Sequence, residues 1–510
     1  RINQIKSRNL LDPYGCSLVL YLKSEFIARV LHQGCKKRFK NSMPSFHTNC
    51  NKSIMMTRHT TIMFATACTL LLLSQYATVV HSFTSIYVIQ APAQRRAVFH
   101  TTISSTTTSP SITFLQSVAG DDDNNSDELP PFSSKEEYLS FLESQGGLPL
   151  GFKCGDAKGT FVPVEAPSMG ALPIKATVVA LDEPTDNWAA VFTKNKFPGA
   201  PIKVGRKRLA DGGPLQALVI NNKVSNVCSG GDGVADSEMV CEAVAAALNL
   251  PNGASSVLPS STGVIGWRLP AKELSEDVVP KAIAALQSDN ALGAAMAIMT
   301  TDRFPKLRAR TLSNGARVVG IAKGAGMIEP NMATMLSYIF TDLAVDKVAL
   351  QSALSEVVNE SYNSISVDGD ESTSDTVAIL SSNKVPVDDS EEEQLISEFK
   401  DALYSVCKGL ACDIVRNGEG TAHVMRVKID NFPGSDVDAR RVGKQVVNSP
   451  LFKCAVSGND PNTGRLAAAI GSFLGKFGGY EEGSEADMTL TLGGRIIFSR
   501  GKFVLEGDDV

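Results

Sequence analysis

Histidine is scarce in this chain of 510 residues: there are six, and five of them (His32, His47, His59, His81 and His100) precede residue 101. Only His423 remains further along, so a Ser-His-Asp machine or a histidine-rich metal site has a single candidate residue to work with. His423 reads more simply as a polar structural residue beside a strand. The ten cysteines form no CxxC and no Cys/His cluster. The six from Cys154 onward read as free, reduced thiols rather than a disulfide framework. No GK[ST] occurs, and neither Gly324-Ala325-Gly326 nor Ser229-Gly230-Gly231-Asp232-Gly233 completes GxGxxG after a strand. Both are read as turns rather than nucleotide cradles. Asp368-Gly369-Asp370-Glu371 resembles a loose cation site but lacks the remaining spacing of a calcium loop, so no metal is expected. Aromatics make up 6% of the chain, the net charge is -5, and no basic run lies beside stacking aromatics. That removes the usual nucleic-acid surface.

What is present is a globular composition, 43% apolar and 20% charged, with room for two to three domain-sized cores. Residues 1–42 begin with Arg and show no sustained period; they read as upstream sequence, with Met43 or Met55 as candidate starts. Thr61–Val80 is an apolar stretch of the length that spans a bilayer, about 20 residues. Its position near the start makes it a signal-type segment rather than a stable membrane anchor. A basic, hydroxyl-rich stretch follows, with Gln94-Arg95-Arg96, Thr101–Ser111 and no acid before Asp121. This order resembles the bipartite presequence of plastids bounded by extra membranes, with mitochondrial import or secretion as alternatives. The acidic run Asp121–Glu128 and Pro130-Pro131 read as a solvated linker. Ser134–Ser144 fits a short helix, and the body is expected to begin near Leu148.

Within the body, Ala176–Leu181, Ala217–Ile220, Val318–Ile321, Thr376–Leu380, Val424–Ile429 and Met488–Leu492 read as strands. Met239–Leu248, Lys281–Leu286, Leu292–Met299 and Val348–Val358 have helical spacing. Strands and helices mix without regular alternation. The fold class is therefore α+β, a layered sandwich of sheets and helices, rather than a doubly wound parallel sheet.

The chemistry concentrates in Lys323-Gly324-Ala325-Gly326-Met327-Ile328-Glu329-Pro330-Asn331-Met332-Ala333-Thr334-Met335-Leu336. A hydroxyl is a poor nucleophile without a base, but a free α-amino group on the same residue can act as one, with a reference pKa of about 7.7–8.0. Cleavage between Ala333 and Thr334 would create such a residue. The competing reading is a Gly-rich turn entering an apolar helix (Met335, Leu336, Ile339, Phe340) with Thr334 as its N-cap. Ser260-Ser261-Thr262-Gly263-Val264-Ile265-Gly266 offers a hydroxyl and a backbone N–H for an oxyanion, or simply a polar turn next to a strand. Thr300-Thr301-Asp302 and Asn417-Gly418-Glu419-Gly420 are polar loops with the same two readings, and Lys323 is a carboxylate binder or a surface lysine.

The stretch from Lys323 to Leu336, followed by Thr341-Asp342, resembles the signature of the ornithine acetyltransferase family, the glutamate N-acetyltransferases of arginine biosynthesis. SSTGVIG (260–266), TTDRFPK (300–306), VDGDESTSDT (367–376), NGEG (417–420) and SPLFKCAVSGNDPNTGR (449–465) follow in that family's order, covering the chain from about residue 148 to near its end. The resemblance implies an N-terminal-nucleophile-like protein that cuts itself between Ala333 and Thr334. Residues 1–120 would be upstream extension and presequence, 121–147 linker, 148–333 the first subunit and 334–510 the second, the two staying together as a heterodimer that assembles further.

It implies Thr334 as the acetyl-carrying nucleophile, Thr262 and Gly263 as the oxyanion pair, and Thr300, Lys323, Thr334 and Glu419 as substrate-binding residues. The substrates implied are N-acetylornithine and glutamate. No cofactor is implied, though acetyl-CoA is an additional acetyl donor in some members. Arg303, Thr463, Glu371 and Ser374 depart from the family pattern, and the sequence ends at Val510 without the family's final Asn and Thr or Ser segment. Two alternatives follow: a self-processing aminopeptidase or amidase of related fold, or an inactive homologue with an unfinished pocket.

Overall fold

The structure is a computed structural model that describes residues 129, 132–329, 335–388, 390, 392–432, 434–477, 488–493 and 495–504. The presequence, the acidic run, Ala333 and Thr334 all lie outside the described residues.

Two sheets form the centre. One has four strands in the order β1-β2-β4-β5: β1 (Phe152–Phe161), β2 (Leu172–Thr185), β4 (Leu215–Asn221) and β5 (Val257–Ser261). The other has five in the order β3-β9-β8-β7-β6: β3 (Trp188–Phe192), β6 (Lys306–Thr311), β7 (Arg317–Lys323), β8 (Leu336–Leu343) and β9 (Thr376–Val385). Only β4/β5 and β8/β9 run parallel within these sheets.

Side chains alternate across a strand, so each sheet offers two faces. Leu218 and Ile220 of β4, Val319 and Ile321 of β7, Leu336, Tyr338 and Phe340 of β8 and Leu380 of β9 meet in one buried cluster between the sheets. The opposite face of the five-stranded sheet (Val318, Ile339, Val377, Ile379) packs under Leu354 and Val358 of one helix and Leu403 and Leu410 of another. The outer face of the four-stranded sheet (Ile174, Val178, Val219) packs against Val240 and Val244 of a helix and against 271–282. The order is therefore helix, sheet, sheet, helix: an α+β sandwich.

Among the described residues the α-helices of six residues or more are α1 (Lys135–Gln145), α2 (Ala200–Asp211), α3 (Gly233–Leu248), α4 (Val279–Ala284), α5 (Leu292–Ala297), α6 (Lys347–Glu360), α7 (Glu392–Arg416), α8 (Asp436–Val447), α9 (Pro450–Ser457) and α10 (Thr463–Phe477). The last three build a satellite core around Phe452, Val456 and Leu466 with β10 (Leu490–Leu492) and β11 (Arg495–Ser499), which β12 (Lys502–Phe503) extends.

Three expectations change. The helix of 134–144 forms, capped by the Ser134 hydroxyl, but it is part of the body: Tyr138 and Leu142 are buried in the inter-sheet cluster. Packing thus starts upstream of Leu148. Val424–Ile429 forms no strand; its alternate residues Met425 and Val427 pack on the satellite core without a strand partner. His423 accordingly lies in an irregular stretch rather than beside a strand. Most consequentially, Leu336–Leu343 is a fully buried strand and not a helix, so the reading of Thr334 as a helix N-cap falls away.

Candidate active site

At one end of the five-stranded sheet β7 finishes while β8 and β9 begin. The ladder pairs Lys323 with Leu336 and Leu336 with Thr376, and the Thr376 N–H donates to the Met335 carbonyl at 3.1 Å. Thr334 is joined directly to that pinned residue. The motifs that were separate in the sequence converge here through hydrogen bonds.

Asp302 is a hub. Its carboxylate accepts from Lys306 Nζ at 2.5 Å, from the Gly324 N–H at 2.7 Å and from the Thr300 N–H at 3.1 Å. Burial alone would raise its pKa, but Lys306, Lys323 and the Gly324 N–H outweigh this and hold it below the usual carboxylate range. Lys306 is itself fully buried, and burial pulls its ammonium down against the attraction of Asp302. Lys323 is partly buried at the end of β7, and its ammonium makes no hydrogen bond or ion pair among the described residues. Burial pulls its ammonium below the ordinary lysine value, while Asp302, Asp375 and Glu419 oppose that shift.

Glu419 arrives from the far side on the loop after α7. Its N–H donates to the Ala325 carbonyl at 2.8 Å, and Asn417, buried beneath it, accepts from the Arg303 N–H at 3.0 Å. The hydroxyl that meets the Glu419 carboxylate, at 2.6 Å, belongs to Thr301; Thr300 enters the network through its backbone. Helix α7 can carry this loop so close because Gly320 has no side chain. A Cβ there would lie 2.6 Å from Val406 Cγ1 and 2.8 Å from Leu410 Cδ1. A bidentate pair, Arg308 Nε to Asp413 at 2.7 Å and Nη2 at 2.8 Å, anchors the helix to β6.

The third approach is from the four-stranded sheet. At the end of β5 the Thr262 N–H donates to Asn221, and the Val264 N–H to Lys223 at 2.9 Å. Gly263, between them, has φ 132 and sits so close to the Lys223 backbone that a Cβ would fall 2.2 Å from its carbonyl carbon. Only glycine fits this position. Neither the Gly263 N–H nor the Thr262 hydroxyl is used in a hydrogen bond among the described residues. The turn is tied to the 300–302 loop through Asn222 Nδ2, which donates to the Met299 carbonyl at 3.2 Å.

The loop 366–370 clasps the approach to Pro330. Asp368 accepts from the Met327 N–H at 2.7 Å and the Ile328 N–H at 2.8 Å. The Asp368 carboxylate is thus engaged by two backbone donors. No group of His, Cys, Asp and Glu suited to a metal ion occurs among the described residues.

The ArgJ family model matches residues 173–506, more than half of the chain. The chain belongs to the ArgJ family. This is the ornithine acetyltransferase and glutamate N-acetyltransferase family its motifs resembled, a family of bifunctional arginine-biosynthesis enzymes. The chain is 37% identical over 335 residues to the arginine biosynthesis bifunctional protein ArgJ 2 of Clostridium acetobutylicum, covering 65% of this chain and 81% of that protein. It is 38% identical over 357 residues to the mitochondrial ArgJ of Penicillium rubens, covering 66% and 70%. Among solved structures, an ornithine acetyltransferase of Mycobacterium tuberculosis, complexed with ornithine, is 35% identical, covers 38% of this chain and 98% of its own, and has a TM-score of 0.33.

Within the motifs, the structure singles out Asp302, Lys306, Asp368, Asp375 and Asn417, to which the sequence reading gave no catalytic or substrate-binding role. Their ties join segments far apart in the chain, which no local pattern marks.

Proposed function

We propose that this chain moves an acetyl group from N-acetylornithine to glutamate through an acyl-threonine at Thr334, after cutting itself between Ala333 and Thr334. The α-amine of Thr334 takes the proton from its own hydroxyl as the oxygen attacks the acetyl carbonyl. The C–N bond of the donor then breaks, the proton passes to the departing amine, and ornithine leaves. The α-amine of glutamate attacks the ester, the hydroxyl is regenerated and N-acetylglutamate departs. The steps call for no metal or redox cofactor. Lys323 takes a substrate carboxylate, Glu419 an amino group, and Thr300 completes the pocket. The bifunctionality in the relatives' names is extended here to a second route, glutamate acetylation from acetyl-CoA. An organellar presequence in residues 1–120 places this chemistry in a plastid or mitochondrion.

The observation that carries the reading is the pair of unused donors at Thr262 and Gly263, on a turn locked by its own backbone. Donors fixed before reaction and aimed at developing charge are what acyl transfer requires. Denaturing electrophoresis with N-terminal sequencing tests it. Wild-type protein should yield a fragment beginning Thr334-Met335-Leu336, Thr334→Ala should stay one chain, and in assays without acetyl-CoA N-acetylglutamate should form only when N-acetylornithine and glutamate are both present. An uncut wild-type chain would sink the mechanism, and acetate released without glutamate would redirect it to hydrolysis.

A further inference from the structure

The chain just ahead of Pro330 is gripped by residues that the scheme above leaves unused. The N–H groups of Met327 and Ile328 donate to the Asp368 carboxylate, and that of Glu329 to the Asp370 carbonyl at 3.1 Å. The Val367 N–H returns a bond to the Ile328 carbonyl at 2.6 Å. Met327 is held at φ 55, in the left-handed region that bulky side chains rarely adopt. Such a conformation persists where its surroundings impose it, and it gathers at working sites. Downstream, Met335 is pinned by the Thr376 N–H. The Ala333–Thr334 bond therefore falls between two fixed points, and the segment 366–376 supplies both.

Residues 366–370 belong to no strand or helix, and Asp368, Gly369 and Asp370 are exposed. They are fastened from behind by the turn between α8 and α9. Asn448 closes α8 by donating its N–H to the Lys444 carbonyl at 2.9 Å. Its side chain donates from Nδ2 to the Glu329 carboxylate and accepts the Ser366 hydroxyl on Oδ1 at 2.6 Å. An amide carries both the donor and the acceptor that this double tie needs. Gly369 passes over the pair: a Cβ there would lie 3.6 Å from Glu329 Oε2 and 3.7 Å from Asn448 Cγ. On α9, Lys453 Nζ donates to the Val367 carbonyl at 2.7 Å.

The satellite core to which α8 and α9 belong contains no residue of either central sheet. Its hold on 366–370 and Glu329 therefore does something other than complete the sandwich. We infer that Asn448 is a positioning residue for self-cleavage: by holding Glu329 it fixes the upstream anchor of the bond to be cut, and the satellite core is the brace behind it. The inference rests on the self-cleavage proposed above. In that reaction the Thr334 hydroxyl oxygen bonds to the Ala333 carbonyl carbon, the C–N bond breaks, and the hydroxyl proton passes to the freed α-amine. Water then hydrolyses the ester, leaving a carboxylate on Ala333 and the hydroxyl back on Thr334. The first step joins two groups of one chain, so its rate depends on how few arrangements the anchors leave open to them.

The test is Asn448→Asp in the full chain, made by cell-free translation that is then stopped, so that cutting of the precursor can be timed on denaturing gels. Two carboxylates then face each other, and cutting should slow about tenfold or more, as expected for losing one hydrogen bond to a charged group. Adding Glu329→Gln reverses the pair, an amide again donating to a carboxylate, and should restore most of the rate. Lys453→Met removes the second tie; it should slow cutting in the same direction and serves if Asn448→Asp does not fold. In a Thr334→Ala background, which stays one chain, Asn448→Asp should quicken hydrogen exchange at the Met327, Ile328 and Glu329 amides and not within α9. Cutting at the wild-type rate, slowing that Glu329→Gln does not recover, or unchanged exchange at those three amides would each overturn the inference while wild-type protein still cuts. A wild-type chain that never cuts would overturn the functional reading, and the inference with it.

Discussion

Asp302→Asn tests the hub directly. The substitution keeps the shape and one amide oxygen but removes the charge that meets Lys306. Both side chains of this pair are 0% exposed, and among the described residues the only other acceptor for Lys306 Nζ is the Phe304 carbonyl at 3.5 Å. Breaking a buried pair by removing one partner costs about 3–5 kcal/mol, because the other charge stays behind without compensation. Two further donors, the Gly324 and Thr300 N–H groups, lose a charged acceptor, so the cost should lie in that range and not below it. Urea unfolding followed by fluorescence would read it from the midpoint at unchanged slope. Adding Lys306→Met should restore most of the loss by removing the stranded charge. A single mutant within about 1 kcal/mol of wild type would contradict the buried-pair cost on which the estimate stands.

Two other outcomes are expected. Gly263→Ala forces a Cβ into the Lys223 backbone and displaces the N–H proposed above to meet the oxyanion, so on that proposal kcat should fall at least about a hundredfold. The comparison is kcat on N-acetylornithine, and an active variant would remove Gly263 from the site. Asp302 is held below its ordinary pKa, so its stabilisation is complete above the unfolded value of about 3.9 and is lost as pH falls through the lower folded value. The acid side of the stability profile should be flatter in Asp302→Asn, as urea midpoints between pH 5 and 2 would register.

Much of the site was legible because the chemistry-bearing residues sit in short runs of fixed order, from SSTGVIG to NGEG. Around Thr334 the local pattern misled. Met335, Leu336, Ile339 and Phe340 have helical spacing, yet every residue of β8 is buried, since both faces of a central strand are covered and alternation disappears. Val424–Ile429 erred the other way: alternation there reflects one buried face, with no neighbouring strand to complete a ladder. Asp302 looked like a loop residue because its partners lie on β6 and after β7.

The sheet order gives any break between β7 and β8 an unusual outcome. The upstream piece would own β3, β6 and β7, and the downstream piece β8 and β9, yet the order is β3-β9-β8-β7-β6. The pieces would be dovetailed, joined along two seams, β7 against β8 and β3 against β9. Pulling them apart would tear both seams and open the cluster that holds Trp188, Tyr338 and Phe340 to water. For such a nicked molecule, falling apart and denaturing would be one event, and diluting it would not release its halves.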